Sequence, residues 1–366
     1  MTFPFSPRSV GLLLGISALS PAVNHMTISA ATLDDLLRQV LVKLIKRGTR
    51  VEATRGWNRE LGGVALKLTN PRARLSHTAK KGKVFSGVGE LTWYLAKSKD
   101  AKFVSYYIKD YEKDAEKDGT IHGAYGPRLF GLRGNNQIQN VLDLLRGKPT
   151  SRRAVVQLFD AADLDGDFKD IPCTCSLQFM ARSNRLDLVT FMRSNDAYLG
   201  LPHDVFSFTM IQEILARSLG YDLGVYTHFV GSLHLYDENA TNARKYIDEG
   251  WQATEHAAMP PMPTGEPWPS IDKLIRAEAA VRKGRNPAKH IQDLDPYWHD
   301  LVRLLQVYRH FLRNENREIM RIRKEMAHSI YSEYIHQKEK AKRTVPRSGQ
   351  PELFSVDPGD AEDGTE

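Results

Sequence analysis

The 366-residue chain has only two cysteines, Cys173 and Cys175, and that scarcity removes several possibilities at once. A disulfide-stapled framework needs more of them. Cys-x-Cys is also a poor spacing for one bridge, because alternate strand residues project side by side on one face. No second Cys or His pair completes a zinc site, so no metal is expected. Long apolar runs are missing too. Val10 to Val23, after Arg8, has the length of a signal-peptide core but is too short to span a bilayer as a helix. Free thiols suit a reducing compartment, so residues 1–25 read as a disordered or mis-assigned extension of a cytoplasmic protein with no membrane partner.

What is present is a soluble composition, 41% hydrophobic and 26% charged. A net charge of +7 and a pI near 9.2 suit either a nucleic-acid surface or an enzyme with an anionic substrate. The Lys/Arg excess lies in helical stretches near both ends, where a solvated face explains it, so nucleic acid is not the expected partner.

Along the chain, a helical segment is expected from Met26. Leu33, Leu36, Leu37, Val40, Leu41 and Leu44 recur at helical spacing, with Thr32 as cap. A polar turn from Thr54 to Arg59 leads to a strand at Gly63–Leu68, and Lys80 to Lys83 form a basic loop. Glu90 lies in the apolar run Val88–Leu95, where a carboxylate costs free energy unless it is paired or used. Residues 105–117 read as a solvated helix with Tyr107 and Tyr111 inward, 119–130 as loop, and Val141–Leu145 as a short helix. Strand follows at Ala154–Phe159, then a hairpin over Ser176–Ala181 and Arg185–Met192. A buried helix, Phe206–Leu219, precedes strand at Leu223–Tyr236. Prolines over 259–269 mark a boundary. Beyond it, Tyr297–Phe311 is an amphipathic helix, with broken helix continuing to about Lys342. The units expected are 1–25, a catalytic domain over 26–285, a helical extension over 286–343 and a disordered acidic tail over 344–366.

Several short motifs carry chemistry. Pro172-Cys173 is followed by Gln178-Phe179, and Ser151-Arg152-Arg153 lies about twenty residues upstream. Next come Arg193-Ser194-x-Asp196-x-x-Leu199-Gly200-Leu201-Pro202 and His234-x-Tyr236. A thiol near an arginine is a candidate nucleophile, because a cation lowers its pKa.

In this order and spacing, with Glu90 in its apolar helix, the motifs over residues 50–270 resemble thymidylate synthase and its relatives, the pyrimidine nucleotide hydroxymethylases. The resemblance implies an α+β fold, a large mixed sheet flanked by helices, a homodimer formed through the sheet, and here extra C-terminal helices. It implies a nucleoside monophosphate substrate and 5,10-methylenetetrahydrofolate as cofactor. Cys173 becomes the nucleophile that adds to the pyrimidine C6, with Arg193 as the cation beside it, and Glu90 the group that handles protons and water. Arg55, Arg152, Arg153 and Arg193 become the phosphate cage, with the adjacent pair reaching across the dimer. Ser194 joins the substrate contacts, His234 and Tyr236 hold the ribose, and Asp196, Leu199 and Gly200 meet the folate.

Two departures bear on the substrate. Synthases carry asparagine where this chain has Asp204. A carboxyl accepts from the cytosine amine and, when protonated, donates to N3, so Asp204 points to CMP or dCMP. Synthases also have a tryptophan where this chain has Lys109, and losing that ring admits water, giving hydroxymethyl in place of methyl. His122 stands near the family's conserved tyrosine. Reductive methylation of dUMP and non-catalytic nucleotide binding are the alternative readings.

Overall fold

The structure, a computed structural model, describes residues 26–53, 55–78, 83–251 and 258–341. The leader-like stretch, most of the basic loop and the acidic tail lie outside the described residues. Seven strands form one sheet: β1 (Met26–Ala30), β2 (Thr49–Ala53), β3 (Gly56–Leu68), β4 (Val155–Gln157), β5 (Thr174–Arg182), β6 (Arg185–Asp196) and β7 (Asp222–Tyr236). Their order is β1-β3-β7-β6-β5-β4, with β2 also pairing β3. β1 runs parallel to β3 and β6 parallel to β7, while the other pairs are antiparallel, so the sheet is mixed.

The β5–β6 hairpin appears where the sequence places it. Ser183 and Asn184 turn it with φ of 47° and 59°, the left-handed pair that matches strand twist. Segment 26–30 is a strand and not the start of a helix, because its partner lies almost forty residues away, beyond the reach of local periodicity. The polar residues 56–59 likewise join β3, paired with β2 in a hairpin that outweighs their turn-like composition.

The helices are α1 (Leu33–Arg47), α2 (Val84–Leu95), α3 (Ala101–Ser105), α4 (Tyr125–Gly131), α5 (Gln137–Gly147), α6 (Gly200–Leu219), α7 (Ala240–Asp248), α8 (Trp268–Arg282), α9 (Ala288–Ile291), α10 (Pro296–Leu312), α11 (Asn316–Glu325) and α12 (Ser332–Lys340). Thr32 caps α1 as expected, its hydroxyl accepting from Asp35 N at 3.1 Å. α6 is fourteen-residues buried out of its twenty and lies against β6 and β7. The apolar stripes of α1 and α6 supply one wall of the core, with an order of 1.5–3 kcal/mol for each buried Leu, Ile or Phe, roughly speaking.

Further stretches depart from the expectation. Residues 105–117 hold no long helix, only the end of α3 and a single tight turn at Lys109–Glu112. Tyr107 and Tyr111 do turn inward, but to donate to Glu278 at 2.8 Å and Glu90 at 2.7 Å, and those bonds draw the backbone out of helical register. Within 119–130, expected as loop, Tyr125 begins α4, with Pro127 in its first turn where a missing N–H costs nothing. The prolines over 259–269 are not a free linker: Met259 and Met262 are buried, their amides bound to Arg72 O and Glu213. The C-terminal helices share the core. α10 packs on α2 and α8, and Tyr334 of α12 donates to Ser76 O at 2.8 Å.

Candidate active site

Four segments converge at the C-terminal end of β6 and the start of α6: the loop before β5, the α2 helix, the turn after α3 and the N-terminus of α4. Cys173 is half-buried just before β5. The Arg193 guanidinium reaches back to its loop, donating to Pro172 O and Ile171 O at 3.0 Å each. Arg193 N also donates to Cys173 O at 2.9 Å. The arginine therefore fixes where the sulfur stands. It does not lower the thiol below its ordinary range: burial dominates, with Asp204 and Asp170 adding to it, and Cys173 is pushed up to about 11 despite Arg193 and Arg55. Arg193 does lower the thiol pKa, as expected of a neighbouring cation, but burial outweighs it.

Glu90 lies on α2, whose apolar face buries it almost completely. Gly89 beside it permits this packing, since a Cβ there would come 2.2 Å from the Tyr107 ring. Two phenols share one carboxylate oxygen: Tyr111 donates to Glu90 Oε1 at 2.7 Å and Tyr94 at 2.9 Å. Oε2 is buried with no partner among the described residues. Desolvation raises the Glu90 pKa and the two phenols oppose that rise. Lys109, at the position of the missing tryptophan, is exposed, while Tyr111 two residues later packs edge-on to buried Trp93 at 5.5 Å.

Asp204 lies in the second turn of α6. Asn195 Nδ2 donates to its Oδ2 at 2.7 Å. Burial pushes this carboxyl well above the usual carboxylate range, with Glu90 and Asp196 adding to the rise. Gly200 makes the approach possible: a Cβ there would lie 3.1 Å from Asn195 Nδ2 and 3.6 Å from Asp204 Oδ2. Leu199 precedes it at the helix cap. Asp196 Oδ1 accepts the amides of Tyr198 and Leu199 at 2.7 and 2.9 Å, so half of that carboxylate holds the turn into α6.

Ser194 on β6 pairs with Ser232 of β7, and His234 pairs with Asp196. His234 is buried and meets Tyr236 edge-on at 5.0 Å. Arg55 is exposed, pairs with Asp114 at 2.9 Å and acts electrostatically on Cys173 and Tyr236. Arg152 and Arg153 are not brought to this cleft. They stand exposed before β4, whose Val155 is in register with Gln178, and five strand residues of about 3.3 Å each separate Gln178 from Cys173.

Tyr125 was missed from sequence and His122 misplaced. Tyr125 OH lies 2.9 Å from Thr174 Oγ1 and 3.2 Å from Thr174 N, directly after Cys173, and its pKa is raised by burial, Asp204 and Cys173. His122 instead stacks on Phe168 at 3.5 Å and bonds Asp163 at 2.7 Å, which Arg128 also grips. The His-Gly-Ala-Tyr-Gly segment held the signal, but only the helix geometry shows which side chain turns to the thiol. A half-buried carboxyl whose pKa is raised, a second carboxylate with one idle oxygen, a half-buried thiol and three phenols can bind a flat polar heterocycle, move protons at it and add sulfur to it.

That combination lies at one end of a mixed sheet, and the comparisons give the family. The family model described as Thymidylate synthase matches residues 34–262, and the chain belongs to the thymidylate synthase family. It is 32% identical over 174 residues to thymidylate synthase of Bacillus licheniformis, covering 45% of this chain and 62% of that protein. It is 31% identical over 187 residues to thymidylate synthase of Bacillus subtilis subsp. natto, covering 49% and 67%. It is also 30% identical over 203 residues to deoxyuridylate hydroxymethyltransferase of Delftia phage PhiW-14, covering 52% and 56%. The family uses methylenetetrahydrofolate. Among the described residues no helix is long and apolar enough to cross a membrane.

Proposed function

We propose that this chain is a one-carbon transferase that hydroxymethylates C5 of a cytidine nucleotide, CMP or dCMP, with 5,10-methylenetetrahydrofolate and water. Asp204 carries this reading. Its half-buried carboxyl has its pKa raised by desolvation, which favours the protonated form, and one oxygen is tied to Asn195, leaving the other for the base. With its proton turned toward N3, a neutral carboxyl donates to cytosine N3 and accepts from the N4 amine, whereas the same orientation sets O–H against the N3–H of uracil.

In this reading Cys173 adds to C6, which makes C5 nucleophilic. Glu90, held by Tyr94 and Tyr111, takes the C5 proton and orders water. Arg55 and Arg193 meet the phosphate, Ser194 assists, and His234 and Tyr236 position the ribose. The folate, when bound, supplies a one-carbon unit at the oxidation level of formaldehyde. Leu199, Gly200 and the free oxygen of Asp196 would hold it, and the unpartnered Glu90 Oε2 fits a site that needs one more donor. A second copy completes the phosphate cage. The sheet face opposite α6 leaves Phe191 and Phe229 about 40% exposed and stacked at 5.4 Å, beside a 400 Å³ groove lined by Val64, Ala65 and Val230. Apolar side chains of that kind fit a second sheet, and Arg152 and Arg153 would then reach the partner's site.

A uracil substrate is the second reading, and the names of the relatives favour it: both thymidylate synthases and the phage deoxyuridylate enzyme. Tritium release from C5 of CMP, dCMP, UMP and dUMP, with methylenetetrahydrofolate, decides between them. The expected result is fastest release from a cytidylate, loss of release in Cys173→Ser, and a hydroxymethyl product. Methylated dUMP accompanied by dihydrofolate overturns the proposal, and binding with no release in any nucleotide leaves a nucleotide-binding protein.

A further inference from the structure

We infer that Tyr226, His228 and Asn195 form a buried relay that positions Asp204 and so sets which base it accepts. This rests on reading Asp204 as the base contact. Tyr226 and His228 are two residues apart on β7, with side chains on the same face, and neither is exposed at all. Tyr226 OH lies 2.6 Å from His228 Nδ1, His228 Nε2 lies 3.2 Å from Asn195 Oδ1, and Asn195 Nδ2 lies 2.7 Å from Asp204 Oδ2. Four side chains from β7, β6 and α6 thus make one line that ends in the cleft.

The line has a direction. Burial pushes His228 down to about 3, so the ring is neutral at any working pH and carries a single N–H. Nε2 faces a carbonyl oxygen, so the proton sits there, and Nδ1 must then accept from the Tyr226 hydroxyl. With its oxygen held by His228, the Asn195 amide can only turn its N–H toward Asp204. Oδ2 is therefore an acceptor, and the proton of a neutral Asp204 is placed on Oδ1, the oxygen left for the base. An O–H at that point matches cytosine N3. Reversal of the line would turn the Asn195 oxygen to Asp204, draw the carboxyl proton onto Oδ2 and leave only lone pairs at Oδ1. Where Oδ1 faces N3, that arrangement accepts the N3–H of uracil and sets lone pair against lone pair at cytosine N3. None of the three relay residues need touch the nucleotide, so they are positioning residues, and the Tyr226 hydroxyl at the far end holds the polarity.

The test is the ratio of kcat/KM for C5 tritium release from cytidylate against uridylate. In Tyr226→Phe and His228→Phe the ratio should fall about tenfold, the worth of one net hydrogen bond. His228→Gln, whose amide N–H replaces Nε2–H, should hold the ratio within about threefold. A purely structural role would slow both nucleotides equally, and an unchanged ratio in both phenylalanine variants overturns the relay. If either of those fails to fold by thermal melting, the other gives the same comparison, and His228→Gln gives the rescue. Asp204→Asn separates the two levels. If it shifts the ratio toward uridylate while the relay variants do not, only the relay is wrong. If it leaves the ratio unchanged, the base contact itself is wrong.

Discussion

The thiol of Cys173 should be a poor nucleophile until a nucleotide arrives, and the size of that effect follows from its surroundings. Burial, Asp204 and Asp170 push it from the ordinary 9.0 to about 11. Two units lower the thiolate population about a hundredfold at any pH below both values. A more basic thiolate is intrinsically more reactive, with a Brønsted slope of about 0.45, which returns roughly eightfold. Alkylation by iodoacetamide at pH 7.5 should therefore run about tenfold slower than at a free cysteine. The direction with pH is fixed by the sign of the shift: only the thiolate reacts, so the rate should climb tenfold per unit and level only near pH 11. The assay is alkylation from pH 7 to 11, read by peptide mass spectrometry because Cys175 is also free, with circular dichroism confirming the fold at each pH. Asp170→Asn removes one of the carboxylates that oppose the thiolate and should move the plateau downward. A plateau at or below pH 8 in the unaltered protein would refute the reasoning. It would show that Arg193 outweighs desolvation and that the nucleophile stands ready before substrate binds.

Tyr111→Phe removes the shorter of the two bonds to Glu90, raising its pKa further, because that bond lowers it. If Glu90 works as a base, C5 release should slow about tenfold, the acid limb of the pH profile should move to higher pH, and nucleotide KM should hold. An unmoved profile would show that the phenol does not tune this carboxylate. Phe191→Asp with Phe229→Asp places charge on the open sheet face. Sedimentation velocity should show a dimer for the unaltered chain and a monomer for the variant, with C5 release reduced if Arg152 and Arg153 serve the partner's site. A variant that stays dimeric would exclude this face as the interface.

The sequence by itself determined the parts whose signals are local. α1 with its Thr32 cap, the β5–β6 hairpin and buried α6 are legible from short spacing, and the ordered motifs single out Cys173, Glu90 and Asp204 as candidates. It could not place Tyr94, Tyr111, Tyr125, Asn195 and His228 around those residues. Each reaches the site from a different element, and a tyrosine facing a carboxylate reads in one dimension like a tyrosine facing the core. The pKa of Cys173 shows the same limit most clearly. The arginine is visible as a residue type and does favour the thiolate, but desolvation, a property of the packed fold alone, outweighs it and decides the direction. Residue types and their order determined what chemistry was available; only the tertiary structure decided which groups share a low-dielectric cleft, and burial there governs which of them hold their protons.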